Sequence, residues 1–411
     1  MNQKANVPKK EKEGVKNITL LGVVSFLNDF SSEMIMPILP FFLAALGGDS
    51  VLIGLVGGIR DSITSFLKIL FGYISDKIGK RKVFVYAGYI TSALFKFFLA
   101  FAPSPFLALG AASLERVGKG MRDAPRDAMI SQFLPNKSGA GFGLHQALDT
   151  VGAIFGSVAV LLLLMYVFTQ PTLSEYSLII AFAGIIAILS VIPLVLVKEP
   201  KFKPTGKEYN FLSAVKALPR DMLVFTGITA VFTLANFSYM FFIMKAGLTE
   251  GLLISILLYI VYNIFQAAFS YPIGKYADRI GKRAILIISY VVFAAILFGF
   301  AILNSTSAML LLFVLYGIST AAFIGVQKAY ASDLSPTNLR GTAMGMFQMA
   351  IGIAALPSSV IAGYLWKVVS PEATFIFGGA ASLLAALLMI FFKPKPGSIT
   401  GRTGAKRTRS S

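Results

Sequence analysis

Residues 114–130, LERVGKGMRDAPRDAMI, place seven charges inside one otherwise apolar run. Arg116, Lys119, Arg122 and Arg126 recur at steps of three or four, so a helix sets them on one stripe. Charge within a membrane-length segment is costly, and it faces a bundle interior or a watery cavity. Glu115, Asp123 and Asp127 are near enough along the chain for partial compensation, so a structural ion-pair network is the competing reading. Asp29 and Glu33 stand four apart and share a helical face. They are natural partners for those cations. Two acids on one face of a partly dry cavity also suit a site that loads and releases a proton, and a fixed salt bridge is the alternative. His145, the only histidine, precedes Asp149 by one helical turn. That spacing fits either a proton relay or a histidine that only makes structural hydrogen bonds.

Arg60, Asp61, Lys68 and Lys96 are further charges within apolar runs. Arg60 and Lys96 are expected to snorkel towards a membrane surface. The second half of the chain offers Asn236, Asn263, Gln266, Gln327, Lys328 and Gln348. Tyr239, Tyr262, Phe237 and Phe241 are expected to line the facing wall. Aromatic and amide groups suit an amphipathic organic ligand.

The elements that position these residues follow from composition. Of 411 residues, 56% are hydrophobic and 14% charged, well below the quarter or so usual in soluble proteins. The spacing predicts an all-α membrane protein with runs at 17–45, 51–75, 83–102, 105–132, 141–168, 174–197, 222–246, 252–275, 284–303, 306–332, 341–366 and 372–392. Residues 1–16 read as a lysine-rich tail ahead of a first span rather than a cleaved signal peptide. Residues 17–197 and 222–392 form two six-helix bundles. Residues 198–221 form a polar linker, and 393–411 a basic tail. Lys and Arg gather on one side of the predicted membrane, which places both termini in the cytoplasm and the chain in the plasma membrane. The net charge of +18 follows this loop distribution, and no soluble basic domain is present to bind nucleic acid. Cysteine is absent, which removes thiolate chemistry. No phosphate-binding loop or zinc-type motif appears, so neither an enzyme nor a cofactor or metal is expected.

The halves repeat. GYISDKIGKR begins at Gly72 and GKYADRIGKR at Gly274, and the same spacing carries Gly143 onto Gly345 and Gln146 onto Gln348. Gly79 and Gly281 permit sharp turns. These loops resemble motif A of the major facilitator superfamily. The resemblance rests on Gly72, Asp76, Gly79, Lys80 and Arg81, and on Gly274, Asp278, Arg279, Gly281, Lys282 and Arg283. It implies twelve helices in two pseudo-symmetric bundles, with the loops latching the halves and Asp127 completing the latch. Arg116-Val-Gly-Lys119-Gly120 resembles motif B, whose arginine is implicated in proton transfer. Gly143, Gly152 and Gly156 resemble motif C of exporters, with Ser157 in place of its proline; close helix packing explains the same small residues. The resemblance implies a monomeric secondary transporter for a small organic solute in a lipid bilayer, and a cavity charged on one wall and aromatic and amide on the other suggests an anionic, zwitterionic or amphipathic one. It implies proton coupling and favours export by antiport. An uncoupled facilitator or uptake carrier, and a non-transporting receptor, are the alternatives.

Overall fold

In a bilayer an apolar segment must satisfy its own backbone, and a helix does so internally. The computed structural model describes residues 9–134, 138–199, 218–336 and 340–394, and the regular structure in them is helical. The helices are α1 (Lys9–Ile35), α2 (Leu39–Ala45), α3 (Ser50–Ile78), α4 (Arg81–Ala100), α5 (Pro105–Phe133), α6 (Ser138–Tyr166), α7 (Leu173–Leu189) and α8 (Ile192–Val195) in the first half. The second half holds α9 (Arg220–Ala235), α10 (Met240–Glu250), α11 (Leu252–Ile280), α12 (Lys282–Ile302), α13 (Thr306–Asp333), α14 (Arg340–Val368) and α15 (Pro371–Phe391). Pairing α1 with α2, α7 with α8 and α9 with α10 gives twelve crossings, six in each half. Eleven candidate spans are long and apolar enough to cross a membrane. The twelfth crossing, α5, has the length but carries the charges of 114–130. Helix α1 begins at Lys9, ahead of the first apolar run. Most of the linker, 200–217, and most of the basic tail, 395–411, lie outside the described residues.

Polar residues start several helices. Asp49 accepts from the Leu52 amide at α3, and Ser104, Ser305 and Ser370 cap α5, α13 and α15 in the same way. The two motif loops turn on glycine, with φ of 75° at Gly79 and 109° at Gly281. The first crossing of each half is broken part-way. Pro37 lies in the turn between α1 and α2, as its missing N–H favours. The equivalent break between α9 and α10 has no proline, and Asn236 closes α9 there.

The termini face carries the start of α1 and the end of α15; the far face is opposite. The halves meet chiefly along α3 and α14. Small residues let these backbones touch: a Cβ on Gly54 would lie 2.2 Å from the Ser359 carbonyl, and one on Gly363 2.3 Å from that of Ser50. Ser50 donates to the Gly363 carbonyl (2.9 Å), and Ser62 to that of Gly352. The far-face core of the first half also takes in Met240, Ile256 and Ile260 of the second half. By contrast, the first-half core nearer the termini face contains no residue of the second half among the described residues. The second half has its own core, rich in stacked aromatics such as Phe232 on Tyr290 (3.9 Å) and Phe242 on Tyr316 (4.3 Å).

Candidate functional site

Helices α1, α3, α4, α5 and α6 bring their charges together inside the first half. Glu115 of α5 lies 3.1 Å from Arg116 Nε and 3.5 Å from Arg60 of α3, and it accepts from Ser92 of α4 (3.0 Å). Asp123, about two helical turns deeper towards the termini face, pairs with Lys68 (2.8 Å) and Arg126 (3.4 Å). Lys96 is buried, and it donates to the hydroxyls of Ser31 (3.1 Å) and Ser32 (2.9 Å) and to the Asn28 carbonyl (3.2 Å). Buried charges persist only when satisfied in this way. A small cavity beside this network is lined by Ser32, Ile35, Arg60, Lys96, Leu99, Ala112 and Glu115.

Asp29 of α1 reaches hydrogen-bond contact with Asp149 of α6, which also accepts from the Ser25 hydroxyl (2.5 Å) and the Gln146 side-chain amide (3.3 Å). Two carboxylates placed this close repel each other, and a shared proton relieves such repulsion. Glu33 accepts from Tyr259 of α11 (2.9 Å), and Ser157 of α6 lies 3.5 Å away. The Tyr259 bond crosses from one half to the other. Lys119 makes no ion pair among the described residues; it lies within electrostatic range of Asp29, Glu33 and Asp61.

The second half answers with tyrosines. Tyr239, at the break between α9 and α10, packs tilted against Tyr259 at 5.5 Å, and Tyr259, Tyr262 and Tyr316 form a stack. Tyr239 also donates to the Met36 sulfur (2.8 Å). The wall is therefore charged on one side and aromatic on the other. It sits where the broken crossings of the two halves face each other, the position such breaks mark in transporters built from repeats.

The chain matches the Major Facilitator Superfamily over residues 21–262 and 231–410. It is 47% identical over 390 residues to an uncharacterized MFS-type transporter of Methanocaldococcus jannaschii, covering 93% of this chain and 96% of that one. The chain belongs to the major facilitator superfamily. As a member of this superfamily it is a membrane transporter, not an enzyme. It is also 24% identical to the multi-drug resistance efflux pump PmrA of Streptococcus pneumoniae, covering 78% of this chain and 82% of that one. A crystal structure of a mutant nucleoside transporter NupG superposes with a TM-score of 0.79 at 16% identity, covering 92% of this chain and 99% of that one. A bacterial Spinster homologue in an inward-facing, occupied conformation superposes with a TM-score of 0.74 at 13% identity, covering 91% of this chain and 96% of that one.

The facilitator fold gathers some of the residues read from sequence and separates others. Asp29, Glu33, Arg116, Lys119, Asp149 and Tyr239 converge. Asn263 is in hydrogen-bond contact with Tyr259. Asn236, Gln266 and Gln348 are half-buried. Arg122 instead turns into the first half, where its guanidinium lies 4.3 Å from the Tyr89 ring. His145 makes no hydrogen bond to Asp149, and its Nε2 has no hydrogen-bond partner among the described residues. Gln327 is buried and donates to Tyr290 (2.9 Å) within the second half. Phe237 and Phe241 are core residues rather than an exposed wall. The snorkelling expected of Arg60 and Lys96 does not occur, because α1 and α5 supply polar partners inside the bundle. Gly152 and Gly156 seat α6 against the α1 carbonyls of Phe26 and Phe30, so their spacing serves helix packing here.

Of the motif loops, Gly79 and Gly281 make the expected turns, and Lys80 precedes α4. Gly72 packs on Ala124. Arg81 is buried. Lys282 bridges Asp278 (3.6 Å) and Asp333 (2.7 Å), and Arg283 donates to the last carbonyls of α15. Gly274 has open space around it. The Asp76 side chain lies outside the described residues. Asp127 pairs with its neighbour Arg126 (3.0 Å) rather than with a loop of the other half. Exposed Lys328 of α13 lies within electrostatic range of Asp123 and Asp127 without an ion pair to either.

Sequence reading overlooked Tyr259 and Met36. Tyr259 carried a signal, since it shares a helix with Tyr262 and Asn263 at stacking distance. Met36 carried none beyond its place before Pro37.

Proposed function

We propose that this protein is a proton-coupled secondary transporter that moves a small organic solute by alternating access, with export by antiport as its direction. The observation that carries the reading is the Tyr259–Glu33 hydrogen bond, which sets a carboxyl group of one half against a hydroxyl of the other (2.9 Å). Protonating Glu33 replaces a charge-assisted bond with a weaker neutral one, so proton loading and the contact between halves are linked. The Asp29–Asp149 contact supplies a second proton-holding site on the same side. Arg116 and Lys119 supply the neighbouring positive charge. Solute binds between the charged and aromatic walls. The motif loops act as gating parts: closing the termini face brings Lys328 towards Asp123 and Asp127.

Export is supported by the likeness to PmrA, a multi-drug resistance efflux pump. Uptake is the competing direction, and the nucleoside transporter NupG adds a nucleoside to the candidate solutes. In this reading the protein is a monomer in the plasma membrane, with both termini in the cytoplasm and the far face outside. An uncoupled carrier is the second reading, favoured by the ion pairs that Glu115 and Asp123 make within the first half. The test is flux by purified protein in liposomes under an imposed pH gradient, with a panel that includes a nucleoside, a cationic dye and organic anions. Gradient-driven flux that Glu33→Gln, Asp29→Asn and Arg116→Ala abolish is the expected result. Flux indifferent to both the gradient and these substitutions overturns the coupling.

A further inference from the structure

Three donors converge on one poor acceptor. Arg60 Nη2 lies 3.2 Å from Met36 Sδ, Arg116 Nη2 3.3 Å from it, and the Tyr239 hydroxyl 2.8 Å, with the Met36 carbonyl 3.3 Å from the same hydroxyl. A thioether is a weak acceptor with no charge. The two guanidiniums share one ion-paired carboxylate, Glu115; Asp61 lies within electrostatic range of both and Glu33 of Arg116, with no ion pair to either guanidinium among the described residues. Even that contact is poorly aligned: Arg116 Nε and Glu115 Oε2 are buried and have no hydrogen-bond partner among the described residues. Buried donors in native proteins are nearly always satisfied, so a group left short of acceptors calls for an explanation.

The sulfur is also the movable member of the set. Met36 lies in the non-helical turn between α1 and α2, on an unbranched side chain with three rotatable bonds. Its donors are held from both halves: Arg60 and Arg116 on α3 and α5, Tyr239 at the head of α10. An oxyanion at that point offers several charged lone pairs where the thioether offers weak ones.

We propose that Arg60, Arg116 and Tyr239 form an oxyanion-binding point, and that the Met36 thioether occupies it until the carboxylate or phosphate of a solute displaces it. This rests on the transport reading above and narrows its substrate class to organic anions. Because Tyr239 belongs to the second half, the anion also ties the two halves together at mid-depth. Arg116, which resembles a proton-handling arginine in sequence, thereby acts as a solute ligand.

The test measures thermal stability of the purified full chain in detergent during titration with potassium phosphate, potassium acetate or potassium chloride at equal ionic strength. Phosphate or acetate should stabilise the protein beyond chloride, and the anion with the lower midpoint identifies the headgroup. Met36→Leu, which removes the competing acceptor and keeps the volume, should lower that midpoint. Tyr239→Phe should raise it about tenfold, the equivalent of one hydrogen bond to a charged group at about 1.4 kcal/mol. The two variants alter one atom or one branch point, so they leave the Arg60–Glu115–Arg116 cluster intact. No advantage of either oxyanion over chloride, or equal midpoints in all three proteins, overturns the proposal. Binding requires neither a gradient nor turnover. Its failure therefore removes the anion site alone, whereas absence of gradient-driven flux in liposomes removes the transport reading alone.

Discussion

Lys367 Nζ sits 2.7 Å from Asp49 Oδ2, joining the end of α14 to the start of α3 across the far face. The hydrogen bond from Lys367, aided by that from the Leu52 amide, holds the Asp49 carboxyl below its ordinary range. A group whose folded-state pKa is depressed contributes stability above its unfolded value, and loses it as pH falls through the folded one. Far-face closure should therefore be unaffected at neutral pH and weaken only below the usual carboxylate range. Asp49→Asn keeps a capping oxygen and removes the charge, so it should abolish that acid dependence. Both partners are about half exposed, so the loss at neutral pH is about 0.2–1 kcal/mol. Cysteine cross-linking across the far face as a function of pH reads both effects.

Tyr259→Phe removes the only donor that Glu33 receives from the second half among the described residues. A hydrogen bond to an ionised group contributes about 1.5–3 kcal/mol, so gradient-driven flux should fall about tenfold or more. Glu33→Gln should abolish the gradient dependence altogether. Equal flux in wild type and Tyr259→Phe across pH 5 to 8 would show that the bond plays no part in coupling.

The α3–α14 seam tolerates no side chain at Gly54. Gly54→Leu should hold the far face open, since its Cβ alone would meet the Ser359 carbonyl at 2.2 Å. The expected outcome is a folded protein with flux near background and far-face cysteine probes that label faster. An α3 glycine that makes no such contact should be the comparison, but Gly72, Gly57 and Gly58 all meet neighbours, so Gly110 of α5, with open space around it, serves instead.

Lys245 of α10 is buried and pairs with the half-exposed Glu372 at the head of α15 (2.8 Å). Removing the carboxylate strands the ammonium, whereas removing the ammonium leaves a carboxylate that water reaches. Glu372→Ala should therefore cost more than Lys245→Met, about 1–3 kcal/mol for the stranded group. The double substitution should recover part of the loss. Melting temperatures of the four proteins in one detergent decide it.

How much of this was legible follows from what a helical sequence encodes. Apolar length gave the crossings, and the repeated glycines gave the turns at Gly79 and Gly281, because both are local properties of the chain. The runs 17–45 and 222–246 each read as one crossing; Pro37 marks the break in the first, while its counterpart at Asn236 has no proline to mark it. Arg60 and Lys96 were misplaced because position along a helix says nothing of what stands beside it. Their partners, Glu115 and Ser31, come from helices brought together only by packing. Lys245 and Glu372 are separated by most of the second half, so neither announces the other. The Met36 site depends on three helices and a turn, which no spacing along one helix records.

Helix α5 has a consequence for how the protein is made. A charge at the centre of a lone membrane helix carries a penalty of about 2.5–3.5 kcal/mol during insertion, and α5 carries several. The partners that neutralise or shelter them, Arg60 and Lys68 on α3 and Ser92 and Tyr89 on α4, are synthesised immediately beforehand. The three helices must then leave the insertion machinery as a group, with α3 and α4 waiting beside the exit until α5 emerges. Glycosylation mapping should find α5 poorly inserted alone and fully inserted behind α3 and α4.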